Sequence, residues 1–514
     1  MKRFLYILSA PCLLLLMFAC NNNNHPEGNL SIKPANLQMQ VGEMEMLELN
    51  VGGETIDNNK ADWMSSNEEI VTVKSGIITA LKDGVAEIFA LYNQHKASCM
   101  VMVGTGIEEP VEDLSKAVRC LPKSAKRGVG YSFAQFPEED VAALAPFISW
   151  SYNWGSQPST TTISNLFDEY NLDYFPMAWN GVNEAQIRSY KQTHPNCEYI
   201  LAFNEPNLTD QANMTPAQAA RKWPELKTLA DELGLKIVSP AMNYGTLSGY
   251  SDPEKWLDEF FTLVPKSDIS AIALHCYMGS AGAMHNYIHK FDKYQLPIWM
   301  TEFCSWDRPA PGSVEAQINY MNEAVVMMEA ETNVERYAWF IPRAGGAVDS
   351  YPYMQLLSKD NIGQLSPQGE VYAALSSFDK TTWLSTQAPI LPNTYSNCSA
   401  AETIKNGTFE AVPHLQPTTD NAGRLMMTDM VNGKWVEYQL DVKQPTNAMI
   451  LRYIGVTGST LTISVDGEKT AEVNLEWSDM KWKTKNIELK LSAGHHTLRL
   501  SNEGNIYFNW LKFE

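Results

Sequence analysis

Eight short apolar segments, spaced by longer stretches with apolar residues three and four apart, constrain the fold of this chain most. They are Gly128–Tyr131, Phe147–Tyr152, Tyr174–Trp179, Tyr199–Phe203, Lys236–Pro240, Ile269–His275, Ile298–Thr301 and Arg336–Phe340. Runs this short and apolar suit strands buried on both faces, and the intervening stretches, such as Thr215–Leu233 and Val314–Ala330, suit amphipathic helices. Strand–helix alternation implies a parallel sheet. Eight such units over roughly 250 residues predict a (β/α)8 TIM barrel, here assigned to residues 126–385.

Reacting groups of such a barrel gather at the C-terminal ends of its strands. The fourth segment runs into Asn204-Glu205-Pro206-Asn207 and the seventh into Thr301-Glu302-Phe303. Carboxylates ending strands four and seven face each other across the barrel mouth, as glycosidic cleavage with one acid/base and one nucleophile requires, without metal or cofactor. Taken singly, Glu205 reads more readily as part of a turn with a helix start and Glu302 as a solvated surface residue; their joint placement carries the reading. Trp154, Trp179, Trp306 and Trp339 end strands or begin loops at the same face and suit sugar stacking, whereas Trp150, inside its strand, reads as core. His275 is open between a structural hydrogen-bond donor and a catalyst, and Tyr277 between an orienting group for Glu302 and a packed tyrosine.

Further strings cover nearly every strand: Arg127-Gly128-Val129-Gly130-Tyr131, Ser149-Trp150-Ser151-Tyr152-Asn153-Trp154-Gly155, Phe175-Pro176-Met177-Ala178-Trp179, Ser239-Pro240-Ala241, Leu274-His275-Cys276-Tyr277, Trp299-Met300-Thr301-Glu302-Phe303 and Tyr337-Ala338-Trp339-Phe340. With Phe203-Asn204-Glu205-Pro206-Asn207, they resemble glycoside hydrolase family 128, a family of β-1,3-glucanases, from about Arg127 to Arg343. The resemblance implies Glu205 as acid/base, Glu302 as nucleophile and Asn204 as the partner of the sugar 2-hydroxyl. It also implies retaining, endo-acting hydrolysis of laminarin- or curdlan-type β-1,3-glucan. An acid working near neutral pH needs a raised pKa, which a charged partner carboxylate would supply.

Residues 30–104 carry short alternating runs, among them Leu37–Gly42, Met46–Val51, Ile70–Val73, Ile77–Leu81 and Ala86–Leu91, that predict a small β-sandwich. Through Trp63-Met64-Ser65-Ser66-Asn67, Gly76-Ile77-Ile78-Thr79-Ala80 and Gly84-Val85-Ala86 this segment resembles a bacterial Ig-like domain of group 2, implying a spacer; residues 105–125 read as a linker. Residues 390–514 are again β-rich and predict a jelly-roll sandwich. Gly433-Lys434-Trp435-Val436-Glu437-Tyr438, Ile463-Ser464-Val465-Asp466-Gly467 and Ala493 to Leu500 resemble a carbohydrate-binding module of family 6 or a close relative, with Trp477, Trp482, Asn505 and Tyr507 as candidate glycan contacts. The structural calcium usual in such modules is in doubt, because the opening acidic pair is reduced to Glu402 and the late acidic position is Asn509. With no catalytic candidate beyond Leu375, this domain is expected to be dispensable for chemistry.

Lys2-Arg3, the apolar run Phe4–Phe18 and Ala19-Cys20 read as a signal peptide over residues 1–19. Leu16-Met17-Phe18-Ala19-Cys20 resembles a lipoprotein box, implying acylation of Cys20, a tether over residues 20–29 and a lipid-anchored place in the bacterial cell envelope, periplasmic or surface-exposed. Losing Lys2 and Arg3 with the leader takes the formal net charge from -20 to -22, which argues against nucleic acid and leaves a neutral polysaccharide unopposed. Cys99, Cys120, Cys197, Cys276, Cys304 and Cys398 show no C-x-x-C spacing and so no zinc or redox motif. Two rivals remain: a glycan-binding lipoprotein without activity, against which the intact glutamate pair argues, and a hydrolase of another β-glucan or of mannan, since subsite loops choose the linkage.

Overall fold

The computed structural model describes residues 30–39, 41–93, 95–104, 112–306, 313–344 and 353–514. The expected leader, Cys20, the tether and residues 105–111 of the linker lie outside them. The described chain forms two units, divided after Glu112.

In the first unit, the hairpin Gly84–Tyr92 and His95–Val103 buries alternate residues, Ala86, Ile88 and Ala90 on one strand and Cys99, Val101 and Val103 on the other. This is the two-residue period of a half-buried strand. Asn36–Met39 pairs parallel to the second strand, and Asp62–Ser65 antiparallel to the first. Two three-stranded sheets add Leu49, Val71 and Ile78 to the same core.

The second unit opens with the barrel. Its strands are β1 (Arg127–Gly130), β2 (Trp150–Tyr152), β3 (Asp173–Tyr174), β4 (Tyr199–Leu201), β5 (Lys236–Val238), β6 (Ile269–Cys276), β7 (Ile298–Phe303) and β8 (Val334–Trp339). One helix follows each: α1 (Pro137–Leu144), α2 (Thr161–Glu169), α3 (Glu184–Thr193), α4 (Pro216–Leu233), α5 (Pro253–Leu263), α6 (Ala281–His289), α7 (Val314–Ala330) and α8 (Pro367–Ala374). The eight strands pair in the order β3-β2-β1-β8-β7-β6-β5-β4, parallel throughout. A parallel bridge between Met177 and Leu201 then links the two edge strands, giving a TIM-like core. The segment expected as a strand over Tyr174–Trp179 shortens to Asp173–Tyr174 because Pro176 has no N–H for the ladder, although its carbonyl still accepts from Leu201. Phe147 and Ile148 likewise turn back onto Leu144 rather than entering β2.

Trp150, Phe175, Tyr199 and Trp299 fill the N-terminal end of the barrel, with ring centroids 4.8–5.7 Å apart, and Arg336 lies 4.9 Å over Phe175. The floor is thereby plugged, and the open space lies at the C-terminal ends of the strands.

The C-terminal part pairs into two mainly antiparallel sheets of six and five strands. Its first strand, Leu384–Ser385, falls in the stretch the sequence assigns to the barrel and pairs with Leu440–Asp441. Leu440, Leu451, Leu500 and Phe508 join the same buried cluster as the barrel helices. No disulfide links the described cysteines, and all but Cys120 are buried.

Candidate active site

Glu302 lies within β7, in register with His275 of β6. Glu205 lies just beyond β4, where Asn204 bridges Ala241 past the end of β5. Glu205 (φ +42°) and Trp154 (φ +61°) are both left-handed. Such backbone costs a non-glycine residue of order 1–3 kcal/mol and collects at functional sites. Both residues line one cleft of about 530 Å³, shared with Trp179, Glu302, Trp306 and Phe340.

The carboxylates are 7% and 4% exposed, and one oxygen of each lies within 4.8 Å of the other and of a His275 nitrogen. Glu302 Oε1 accepts from Tyr152 Oη at 3.0 Å and Trp154 Nε1 at 2.7 Å, while Tyr277 donates its hydroxyl to Oε2. Glu205 Oε1 accepts from Asn243 Nδ2 at 3.3 Å and faces His275 Nδ1 at 2.9 Å. The same Nδ1 is 3.3 Å from Glu302 Oε2, so the imidazole sits between the two acids.

Burial opposes charge on both carboxylates, with different outcomes. At Glu205 the burial penalty is outweighed by the charge and hydrogen bond of His275 and by Asn243, so its pKa falls below the ordinary range. At Glu302 burial, helped by repulsion from Glu205, exceeds the pull of His275, Tyr277 and Trp154, and the pKa rises. Burial disfavours protonated His275, but Glu302 and Glu205 overcome it and raise its pKa. The expected raised acid at Glu205 is therefore reversed in the substrate-free site.

The family description "Glycosyl hydrolase catalytic core" matches residues 130–372, and "Carbohydrate binding module (family 35)" matches residues 406–513. An endo-β-1,3-glucanase of glycoside hydrolase family 128, subgroup II, from Pseudomonas viridiflava is 37% identical to this chain, covering 49% of it and 98% of that enzyme, with a TM-score of 0.44. The chain belongs to glycoside hydrolase family 128. A second subgroup II endo-β-1,3-glucanase, from Sorangium cellulosum, is 31% identical over 48% of this chain and 97% of its own, with a TM-score of 0.43. Alkali-sensitive linkage protein 1 of Schizosaccharomyces pombe is 27% identical over 261 residues, and the chain spans only 44% of its length.

The family 128 cleft gathers Asn204, Glu205, Trp154, Trp179, Tyr277, Glu302 and Trp306. Asn204 donates to Gln211 Oε1 at 3.2 Å, and its buried Oδ1 has no protein partner. Trp306 stacks on Phe340 (5.9 Å, 9°) and meets Tyr277 edge-on. Trp339 is a correction: it is fully buried, donates to the Met354 carbonyl at 2.7 Å and packs on Phe303 and Tyr372. Side chains alternate along a strand, so Phe340 faces the cleft instead. Tyr152 and Asn243 were missed by sequence reasoning, although each stands at the C-terminal end of its strand or just past it, where the barrel rule directs attention.

The C-terminal match is to family 35, where the sequence resemblance was to family 6 or a close relative. Trp477 is 61% exposed, whereas Trp482 donates to Thr419 at 3.1 Å. Tyr507 pairs with Ile454, and the Asn505 N–H donates to Thr457 and Ser459. Glu402 is engaged by Asn397 and Lys405, while Asn509 donates to Ala422 and to Asp420, whose charge Arg452 neutralises.

Proposed function

We propose that the barrel is a retaining endo-β-1,3-glucanase in which Glu302 attacks the anomeric carbon and Glu205 serves the leaving group. The carrying observation is the approach of the two carboxylates to within 4.8 Å. Retaining glycosidases space their carboxyls about 5–5.5 Å apart, and inverting ones about 6.5–9.5 Å to admit a water. Three donors, from Tyr152, Trp154 and Tyr277, let Glu302 carry charge despite burial. Glu205, whose Oε1 lies 2.9 Å from His275 Nδ1, acts as the acid that protonates the departing oxygen. Once Glu302 is esterified its charge is gone, and the carboxylate of Glu205 activates water as base. Trp179 and Trp306 offer faces on which glucose rings stack.

Endo action and the β-1,3 linkage are supported by the two subgroup II relatives, both described as endo-β-1,3-glucanases. In this reading exposed Trp477 makes the C-terminal module's glycan contact, residues 30–104 act as an Ig-like spacer, and acylated Cys20 holds the protein to the bacterial envelope. The decisive test is digestion of laminarin and curdlan with NMR of the first product. Release of mixed oligosaccharides as β-anomers is expected, with cellulose left intact. An α-anomer rejects Glu302 as nucleophile, and glucose as the sole early product rejects endo action.

A further inference from the structure

Among the described residues, two trios of His, Cys, Asp or Glu side chains converge within 4.8 Å: the cleft trio, and His285, His289 and Glu331 at the junction of α6 and α7. His285 and His289 lie four residues apart on α6, so their rings share one helix face, with centroids 4.4 Å apart. Glu331 caps the C-terminus of α7, and its Oε1 lies 3.1 Å from Nε2 of each histidine. His285 and Glu331 are each 4% exposed, whereas the His289 side chain is 29% exposed at the rim.

A second observation points to a ligand. Neither ring nitrogen of His285 has a hydrogen-bond partner, because the approach to Glu331 lacks hydrogen-bond alignment. A buried polar atom left so costs about 1–3 kcal/mol unless something binds it. Behind His289, Nδ1 meets Asp292 Oδ2 at 2.6 Å, and Asn333 donates to Asp292 Oδ1 at 2.9 Å. A carboxylate behind a ligating imidazole is the outer-shell support that fixes its tautomer. The two 3.1 Å separations are close to the edges of a tetrahedron built on metal–ligand bonds of about 2.0–2.1 Å.

We propose that His285 Nε2, His289 Nε2 and Glu331 Oε1 bind one divalent transition-metal ion of the zinc class, with solvent in the fourth position. Two imidazoles and a carboxylate are a donor set suited to zinc rather than to calcium or magnesium. The ion fastens α6 to the end of α7, remote from the paired glutamates, and its role is structural.

The test uses the full chain, freed of metal by chelation, titrated with zinc chloride by calorimetry and with Co2+ by visible absorption. One ion per chain, the intense bands of tetrahedral Co2+ and a zinc-dependent rise in Tm are expected. His289→Ala, at the rim, should remove all three, and Asp292→Asn should weaken zinc about 10–100-fold. The double variant Glu205→Gln/Glu302→Gln should bind as the parent does. No binding by the parent chain overturns the proposal. So does binding that survives His289→Ala in a protein shown folded by circular dichroism, or binding lost in the double variant.

Discussion

Tyr277 offers a way to separate charge from burial at Glu302. Its hydroxyl donates to the carboxylate and pulls the glutamate's pKa down against a larger burial penalty. Tyr277→Phe keeps the ring against Trp306 and removes only the donor. A hydrogen bond to a charged group is worth about 1.5–3 kcal/mol, so kcat/KM should fall roughly 10–100-fold. Without the donor the pKa of Glu302 rises further, the nucleophile gains its proton at higher pH, and the acid limb of the kcat/KM profile should move upward. An unmoved limb would mean that Tyr277 only packs. The carboxylates themselves are separated by leaving group. Glu302→Gln should abolish turnover on all substrates, whereas Glu205→Gln should still glycosylate on activated aryl glucosides, whose leaving groups need no proton; equal losses on both substrate types would reject the roles. Both glutamates were legible because strand ends are legible. The direction of the Glu205 shift was not, because it depends on His275 standing between two acids that are 70 and 27 positions away from it in sequence. Trp339 misled for a simpler reason: strand parity at a frayed end depends on where pairing stops, and the cleft takes Phe340.

At the scale of elements, the seam between β1 and β8 shows what holds the barrel shut. Arg127 of β1 is buried, and its guanidinium donates to Tyr337 Oη of β8, to the carbonyls of Tyr372, Leu375 and Ser376 at the end of α8, and to Glu329 of α7 at 3.4 Å. Tyr337 also donates to Glu329 Oε1, which makes this glutamate of α7 the anion shared by β1 and β8. Removing one partner of a buried pair leaves the other uncompensated, at a cost of about 3–5 kcal/mol. Glu329→Ala should therefore lose that much stability in denaturant titration while Glu329→Gln loses less; equal, small losses would show the pair to be dispensable. Helix α7 was legible end to end over Val314–Ala330, its start fixed by the Ser313 cap, whose Oγ accepts from Ala316 N. Its surroundings were not legible. Gln317, Asn322 and Glu329 are buried with the apolar residues, so the helix is covered nearly all round, and a polar residue in a periodic pattern cannot announce that its partner lies on a distant segment.

At the scale of the whole second unit, that covering bears on whether the C-terminal module is dispensable for chemistry. Asn322 of α7 donates to the Leu415 carbonyl at 3.0 Å and accepts from its N–H at 2.7 Å. Asn393 donates to the carbonyls of Arg119 and Ala374, and the Ser376 hydroxyl to that of Tyr395. Truncation after residue 385 strips these partners and bares apolar core, so the shortened chain should melt well below the parent and lose soluble activity through unfolding; an unchanged Tm would restore the independent reading. The junction also carries a titratable group. His414 of the module lies 3.1 Å from Asp429 and 3.5 Å from Glu323 on α7. Burial works against its protonation, but Asp429 and Glu323 prevail and push its pKa up to about 9. A folded-state pKa above the unfolded value of 6.5 adds stability that is whole below about pH 6.5 and is lost as pH climbs through about 9. At roughly 1.4 kcal/mol per pKa unit the contribution is at most about 3 kcal/mol. The parent should therefore lose stability between those limits in melts run across pH. His414→Gln should be weaker at pH 6 yet nearly flat over the same range. If the variant keeps the parent's full slope, the ion triad is not what ties the module to the barrel.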